Sequence, residues 1–256
     1  SGLINLSLEA DGQHRKAYDA FYKSTWSAET QSAGFYWLAC LEARRGNLEQ
    51  ALEFVGLSLV RNWHNMNGRC LKAALLRHLG RDNTALLAES LAIDPLQMGC
   101  LYEESRRTGT PEVWRTVMRQ EAHNYLDLAL HYAKAGLLEE AVEILQACRL
   151  DPGYPRLLLE YDQLAARLGR SNAARLQLLE ENLALVEQRD DLMLRYVTLL
   201  NCEGRCEEAL QILLTRRFHP WEGGEGKVSA QYRYALIRLA KDCLNRGEND
   251  RAVQLL

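Results

Sequence analysis

The sequence predicts an all-α solenoid, a right-handed superhelix of tandem helix hairpins, and three observations predict it. Glycine recurs at near-regular steps with alanine five residues further on, leucines and aromatics between those points follow helical spacing, and nothing in the 256 residues reads as a strand. The pairs are Gly12 and Ala17, Gly46 and Ala51, Gly80 and Ala85, Gly136 and Ala141, Gly169 and Ala174, Gly204 and Ala209, and Gly247 and Ala252. Gly12, Gly46 and Gly80 are 34 residues apart, and the steps from Gly136 to Gly169 to Gly204 are 33 and 35. Self-similarity at such a period outranks any local propensity.

Elementary stereochemistry accounts for each unit. Glycine ends the first helix because it enters the left-handed conformation of a tight helix-to-helix turn without a Cβ penalty. Alanine early in the second helix lets the paired helices approach, and apolar residues at i, i+3, i+4 and i+7 bury the shared seam. Tyr125, Leu128, Ala129, Tyr132, Gly136 and Ala141 show the whole pattern, closing at Asp151-Pro152, and Pro95 after Asp94 closes an earlier unit in the same way. With this small-and-large signature the sequence resembles the tetratricopeptide-repeat (TPR) superfamily, and the resemblance, covering nearly the whole chain, implies tandem TPR-like helix hairpins.

The interval from Gly80 to Gly136 is 56 residues, too long for one repeat and too short for two. A shortened pair over 96–121 fills it. Leu96 to Arg107 is its first helix, and Thr110-Pro111-Glu112 opens its second, with threonine as N-cap and proline at the first helical position. The count is about eight pairs in a single solenoid over 1–256, the first incomplete because Ser1 to Asp11 is short for a helix. At the other end Ala252, Val253, Leu255 and Leu256 are apolar where a terminal repeat normally turns a polar face to water. The sequence therefore reads as a fragment of a longer chain.

Composition narrows the function classes. With 31 basic and 34 acidic residues the formal net charge is -3, which leaves no electrostatic footprint for nucleic acid. No stretch approaches the roughly 18 consecutive apolar residues of a membrane span, and no basic-then-apolar leader opens the sequence. Seven cysteines, an odd set without a CxxC pair, read as reduced thiols and point to a cytoplasmic protein. Cys202 and Cys206 are the close pair, but a zinc site would need two further ligands that have no candidates. His14, His64, His78, His123 and His131 are scattered, and the two last, eight residues apart, fit a solvated helix face. No nucleophile elbow or Cys-His-Asn set is present. The chain alone is therefore expected to be neither an enzyme nor a cofactor or metal binder. Glu103-Glu104, Arg106-Arg107, Glu180-Glu181 and Arg216-Arg217 read as solvated helix faces. Trp63, between two pairs, reads as a cap on the apolar seam.

One segment breaks the period. From Gly204 to Gly247 the step is 43, nine more than the repeat, and the excess holds Phe218, His219, Pro220, Trp221, Glu222, Gly223, Gly224, Glu225, Gly226 and Lys227. Three glycines and a proline in seven residues forbid a helix, while the aromatics bring apolar surface that needs cover. Two readings follow: the aromatics staple the loop to neighbouring helices, or the loop is a ligand or domain-contact site. In the second, backbone N–H groups around Gly224 and Gly226, with Lys227, offer themselves to an anion. A phosphate-binding loop is excluded, because Trp221 stands where its first glycine belongs and Val228 follows Lys227.

The same loop resembles one found in the repeat regions of large bacterial proteins that carry an N-terminal mutarotase-like β-sandwich domain of unknown function. That resemblance implies that the chain is the repeat portion of such a protein, with the loop facing the other domain and completing a carbohydrate pocket. Glu222 and Glu225 would then contribute carboxylates to a composite site.

A solenoid also offers a concave face lined by the first helix of each pair. By register Tyr36, Cys40 and Ala43 look into it, as do Cys70, Ala74 and Arg77. The functional expectation is a protein-interaction or scaffolding module binding a partner protein, a peptide or a neighbouring domain. The alternative is an accessory helical domain of a bacterial carbohydrate-active enzyme.

Overall fold

A computed structural model describes residues 11–148 and 154–255. Sixteen helices and no strand occur among them: α1 (Asp11–Ser24), α2 (Gln31–Arg44), α3 (Leu48–Arg61), α4 (Met66–His78), α5 (Thr84–Ile93), α6 (Met98–Thr108), α7 (Glu112–Met118), α8 (Ala122–Lys134), α9 (Leu138–Ala147), α10 (Pro155–Arg167), α11 (Asn172–Glu181), α12 (Leu183–Val186), α13 (Asp190–Cys202), α14 (Cys206–Thr215), α15 (Lys227–Asn245) and α16 (Asn249–Leu255). They gather in two compact units, Ser1–Arg149 and Leu150–Leu256. None of the described helices is long and apolar enough to cross a membrane. Asp151-Pro152 and Leu256 lie outside the described residues.

The helices pair as the glycine period predicts. Gly46, Gly80, Gly136, Gly169, Gly204 and Gly247 join α2 to α3, α4 to α5, α8 to α9, α10 to α11, α13 to α14 and α15 to α16, all with φ between 66° and 80°. Gly109 (φ 73°) does the same between α6 and α7, so the turn glycine of the short pair was present in the sequence but off the period. Gly12 differs: it lies inside α1 and is no turn. Thr110 is not a cap either. Its hydroxyl pairs with that of Thr108 at 2.6 Å, and Pro111 itself occupies the cap position ahead of Glu112.

The alanine slot holds only where the second helix starts promptly. Ala51, Ala141, Ala209 and Ala252 are buried, each in a helix that begins two residues after its glycine. After Gly80 the helix begins at Thr84, and after Gly169 at Asn172. Each residue of delay turns the helix by about 100°. Ala85 and Ala174 are therefore exposed, and Leu87 and Leu176 take the seam in their place.

The first unit closes on itself. Helix α8 returns to α2, some 95 residues earlier, where the Arg44 Nε donates to the Lys134 carbonyl at 2.7 Å and the Tyr36 hydroxyl meets His131 Nδ1 at 3.1 Å. The Tyr36 and His131 rings stack with centroids 6.2 Å apart. At the α8–α9 turn, a Cβ on Gly136 would stand 2.8 Å from Arg44 Cα, so glycine is required there by the close approach as well as by its φ. At Gly46 nothing lies within 4 Å of such a Cβ. Gly46→Ala is accordingly expected to cost about 1–2 kcal/mol from backbone conformation alone. Gly136→Ala adds about 1–3 kcal/mol of overpacking, and paired urea melts of the two variants would read the difference.

A charged network fills the interior of this unit. Glu103, with no exposed surface, accepts from Arg77 Nε at 2.8 Å, Arg77 Nη2 at 3.2 Å and the Tyr132 hydroxyl at 2.7 Å. Arg77 Nη2 also reaches Glu140 Oε1 at 2.9 Å, where His78 Nε2 closes to 2.6 Å. Next to it, Glu143 takes the Tyr102 hydroxyl at 3.1 Å and pairs with Arg106. Glu103 is thus a buried charge and not part of a solvated face. The reason is tertiary: its partners come from helices α4 and α8. Burial works to raise the Glu140 carboxyl, and the bonds from His78 and Arg77 outweigh it, leaving a pKa of about 2. Trp63 does not cap the seam; it is half exposed, with the Arg69 guanidinium 4.0 Å above its ring.

Candidate functional site

The predicted inner-face residues of the first unit are not on an open surface. Tyr36, Cys40, Ala43, Cys70 and Ala74 are buried, and Arg77 is half-buried within the charged network. The physical reason is the return of α8, whose His131 and Tyr132 fill the space those residues were expected to border. His131 likewise leaves the solvated face expected for it: its Nε2 is wholly buried and unpaired while part of the residue stays accessible. Burial, then the charge of Lys134, pushes its pKa down to about 4. His123 stays exposed, 3.1 Å from Glu121.

In the second unit a groove runs along the first helices of three successive pairs, and the long loop forms its wall. Its volume is about 600 Å³. Leu159 and Gln163 come from α10, Asp191, Leu194, Arg195 and Thr198 from α13, Trp221, Glu222 and Gly223 from the loop, and Lys227, Ala230 and Gln231 from α15. The lining is mixed: apolar side chains, neutral polar groups that are amides and a hydroxyl, and charges of both signs.

Two halves of the loop do different work. The first half anchors it. Phe218 packs against the core of the second unit, under the Arg216 guanidinium at 5.7 Å. Arg216 Nε donates to Asp190 Oδ1 at 2.9 Å and its Nη2 to the Glu187 carbonyl at 2.9 Å, so it is a loop anchor and not a free surface charge. The His219 backbone N–H donates to Asp190 Oδ2 at 2.9 Å, and its Nδ1 lies 3.0 Å from the same oxygen. Burial acts to raise the Asp190 pKa, but these bonds prevail and hold it below the ordinary carboxylate range.

The second half presents side chains. Trp221 lies so close over Gly224 that any side chain there would collide with the indole, and Gly223 (φ 74°) and Gly226 (φ 70°) bend the chain around it. The N–H of Gly224 donates to the Trp221 carbonyl at 3.0 Å and that of Lys227 to the Gly224 carbonyl at 3.1 Å. Those two N–H groups are used inside the turn and are not offered to an anion. Of the ten loop residues singled out, Trp221, Glu222, Gly223 and Lys227 line the groove. Phe218 and His219 turn toward the core and α13, and Pro220, Gly224, Glu225 and Gly226 are not among the lining residues. Glu222 and Glu225 are both exposed.

Sequence reasoning missed the groove residues on α10 and α13. Beneath them, buried Asp162 accepts from Arg175 through both oxygens, at 2.8 and 2.9 Å, and from Arg195 Nε at 2.8 Å. Asp191 is paired with Arg189 at 2.9 and 2.6 Å. The Asn201 amide donates to Gln231 Oε1 at 2.9 Å and joins α13 to α15. An aspartate in a leucine-rich helix at Tyr161-Asp162-Gln163 was the available signal, because an acid on a buried register demands a cation.

Tandem helix hairpins joined by left-handed glycine turns define an all-α helical repeat protein. No family model matches the chain. Among solved structures it is similar to one described as "Structure of Naa15/Naa10 bound to HypK-THB", with 17% identity and a TM-score of 0.35, the match covering 98% of this chain and 43% of that one. The chain thus spans less than half the length of that solved chain.

Proposed function

We propose that the chain is a protein-binding scaffold whose second unit takes an extended segment of a partner protein, or of a neighbouring domain, in the groove walled by the loop. One observation carries this reading: the period-breaking loop is anchored at one end and lays Trp221 and Glu222 along a groove between first helices. An extended segment needs apolar surface for alternate side chains and polar groups for its exposed amides. Leu159, Leu194 and Ala230 supply the first, and Gln163, Thr198 and Gln231 the second. Peptides selected from a random display library against the intact chain, then measured by calorimetry, test it. Trp221→Ala and the groove-filling Thr198→Arg are each expected to weaken binding about tenfold or more, roughly 1.4 kcal/mol. Unchanged affinity in both variants, with helicity retained by circular dichroism, removes the groove from the account.

A second reading is favoured by Trp221 standing beside Glu222 in the same groove: an accessory helical domain that completes a sugar site. Aromatic faces and carboxylates suit that role. Under it, Trp221→Ala in the chain joined to its neighbouring domain abolishes a response to simple glycosides, and peptides selected on the isolated chain ignore the loop.

A further inference from the structure

We infer that the segment occupying this groove carries a carboxylate side chain opposite Arg195; the inference rests on the scaffold reading above and names the chemistry of its ligand. The charge count around the groove supports it. Asp162 is 1% exposed and engages Arg175 through both oxygens, so its negative charge is already balanced by that buried partner. Arg195 donates its Nε to the same carboxylate at 2.8 Å and brings a second positive charge that nothing in the cluster neutralises. Its side chain is 36% exposed and lines the groove. Its Nη1 and Nη2 make no hydrogen bond among the described residues, leaving the outer end of a planar donor fork open.

The other groove charges do not cancel this surplus. Asp191 is occupied by Arg189. Lys227 is exposed, with no ion pair among the described residues, and adds a second positive charge against the single free carboxylate of Glu222. The local balance is therefore positive although the chain as a whole carries -3. Pinning Arg195 by its Nε also removes much of the freedom that a long side chain loses on binding. A guanidinium with a free edge pairs best with a planar, two-oxygen anion.

Fluorescence anisotropy on the intact chain tests this with two synthetic dodecapeptide pools, degenerate except for a fixed central Glu in one and Gln in the other. The Glu pool is expected to bind roughly tenfold tighter, the order of a charge-assisted hydrogen bond. That preference should fall with added salt, vanish in Arg195→Gln and increase in Glu222→Gln. Arg195→Gln leaves Asp162 still held by Arg175, so the fold is retained, which circular dichroism verifies. Equal binding of the two pools, or a preference that survives Arg195→Gln, overturns the carboxylate while the scaffold reading stands. Failure of both pools to bind, with the chain folded, overturns the groove reading and this inference with it.

Discussion

Glu103→Ala is expected to lower the stability of the first unit by about 3–5 kcal/mol, the usual consequence of removing one member of a buried ion pair. Glu103 is fully buried, and its loss leaves the Tyr132 hydroxyl with a weak thiol contact at 3.6 Å and Arg77 with Glu140 alone. The neighbouring residue supplies the control. Glu104 pairs with Arg107 on the surface, and such exposed helical pairs contribute a few tenths of a kcal/mol. Glu104→Ala should therefore leave the urea midpoint almost unchanged. A midpoint shift of similar size in the two variants would show that the interior network contributes no more than a surface pair.

Acid should weaken the same unit through two successive pH windows. Burial lowers the His131 pKa to about 4 from an ordinary value near 6.5, so the unfolded chain binds a proton that the folded one resists. The stability this represents is complete above pH 6.5 and is lost as pH falls toward 4. Its upper bound is about 3 kcal/mol. Glu140 acts in a lower window. Its folded pKa of about 2 lies below the ordinary 4.5, so its contribution is present above pH 4.5 and is lost as pH falls toward 2. Urea midpoints measured from pH 7.5 to pH 3 should decline through both windows. His131→Phe keeps a ring against Tyr36 and removes the first decline. A wild-type midpoint that is flat from pH 6.5 to 4.5 would show that His131 is accessible to protons in the folded state.

What was legible in the sequence was what is locally encoded. A left-handed turn is written in one residue, so six of the seven glycines chosen by spacing are helix-to-helix turns, and the loop that broke the period is the wall of the groove. Helix phase was legible only where the turn had its usual length. Ala85 and Ala174 failed because Asp82-Asn83 and Ser171 delay the following helix, a difference no periodic template registers. Burial of charge was hidden for another reason. Glu103 looks like any acid beside another, and its environment is set by Arg77 and Tyr132, 26 and 29 residues away. The register put Tyr36 and Cys40 on an open inner face, and both are buried. What the register could not contain was α8 coming back to cover them.

That return of α8 onto α2 alters how the first unit responds to damage. In a linear array each hairpin touches only its neighbours, so an end can fray one hairpin at a time while the rest stays folded. Here Arg44 and Tyr36 near the start hold Lys134 and His131 near the finish, with Gly136 pressed on the Arg44 backbone. Unravelling from α2 therefore releases α8 as well. Amides in α2 and α8 should exchange with deuterium at matching rates despite their separation in the chain. The unit behaves as one cooperative block in which the terminal hairpins are the clasp and not the expendable fringe.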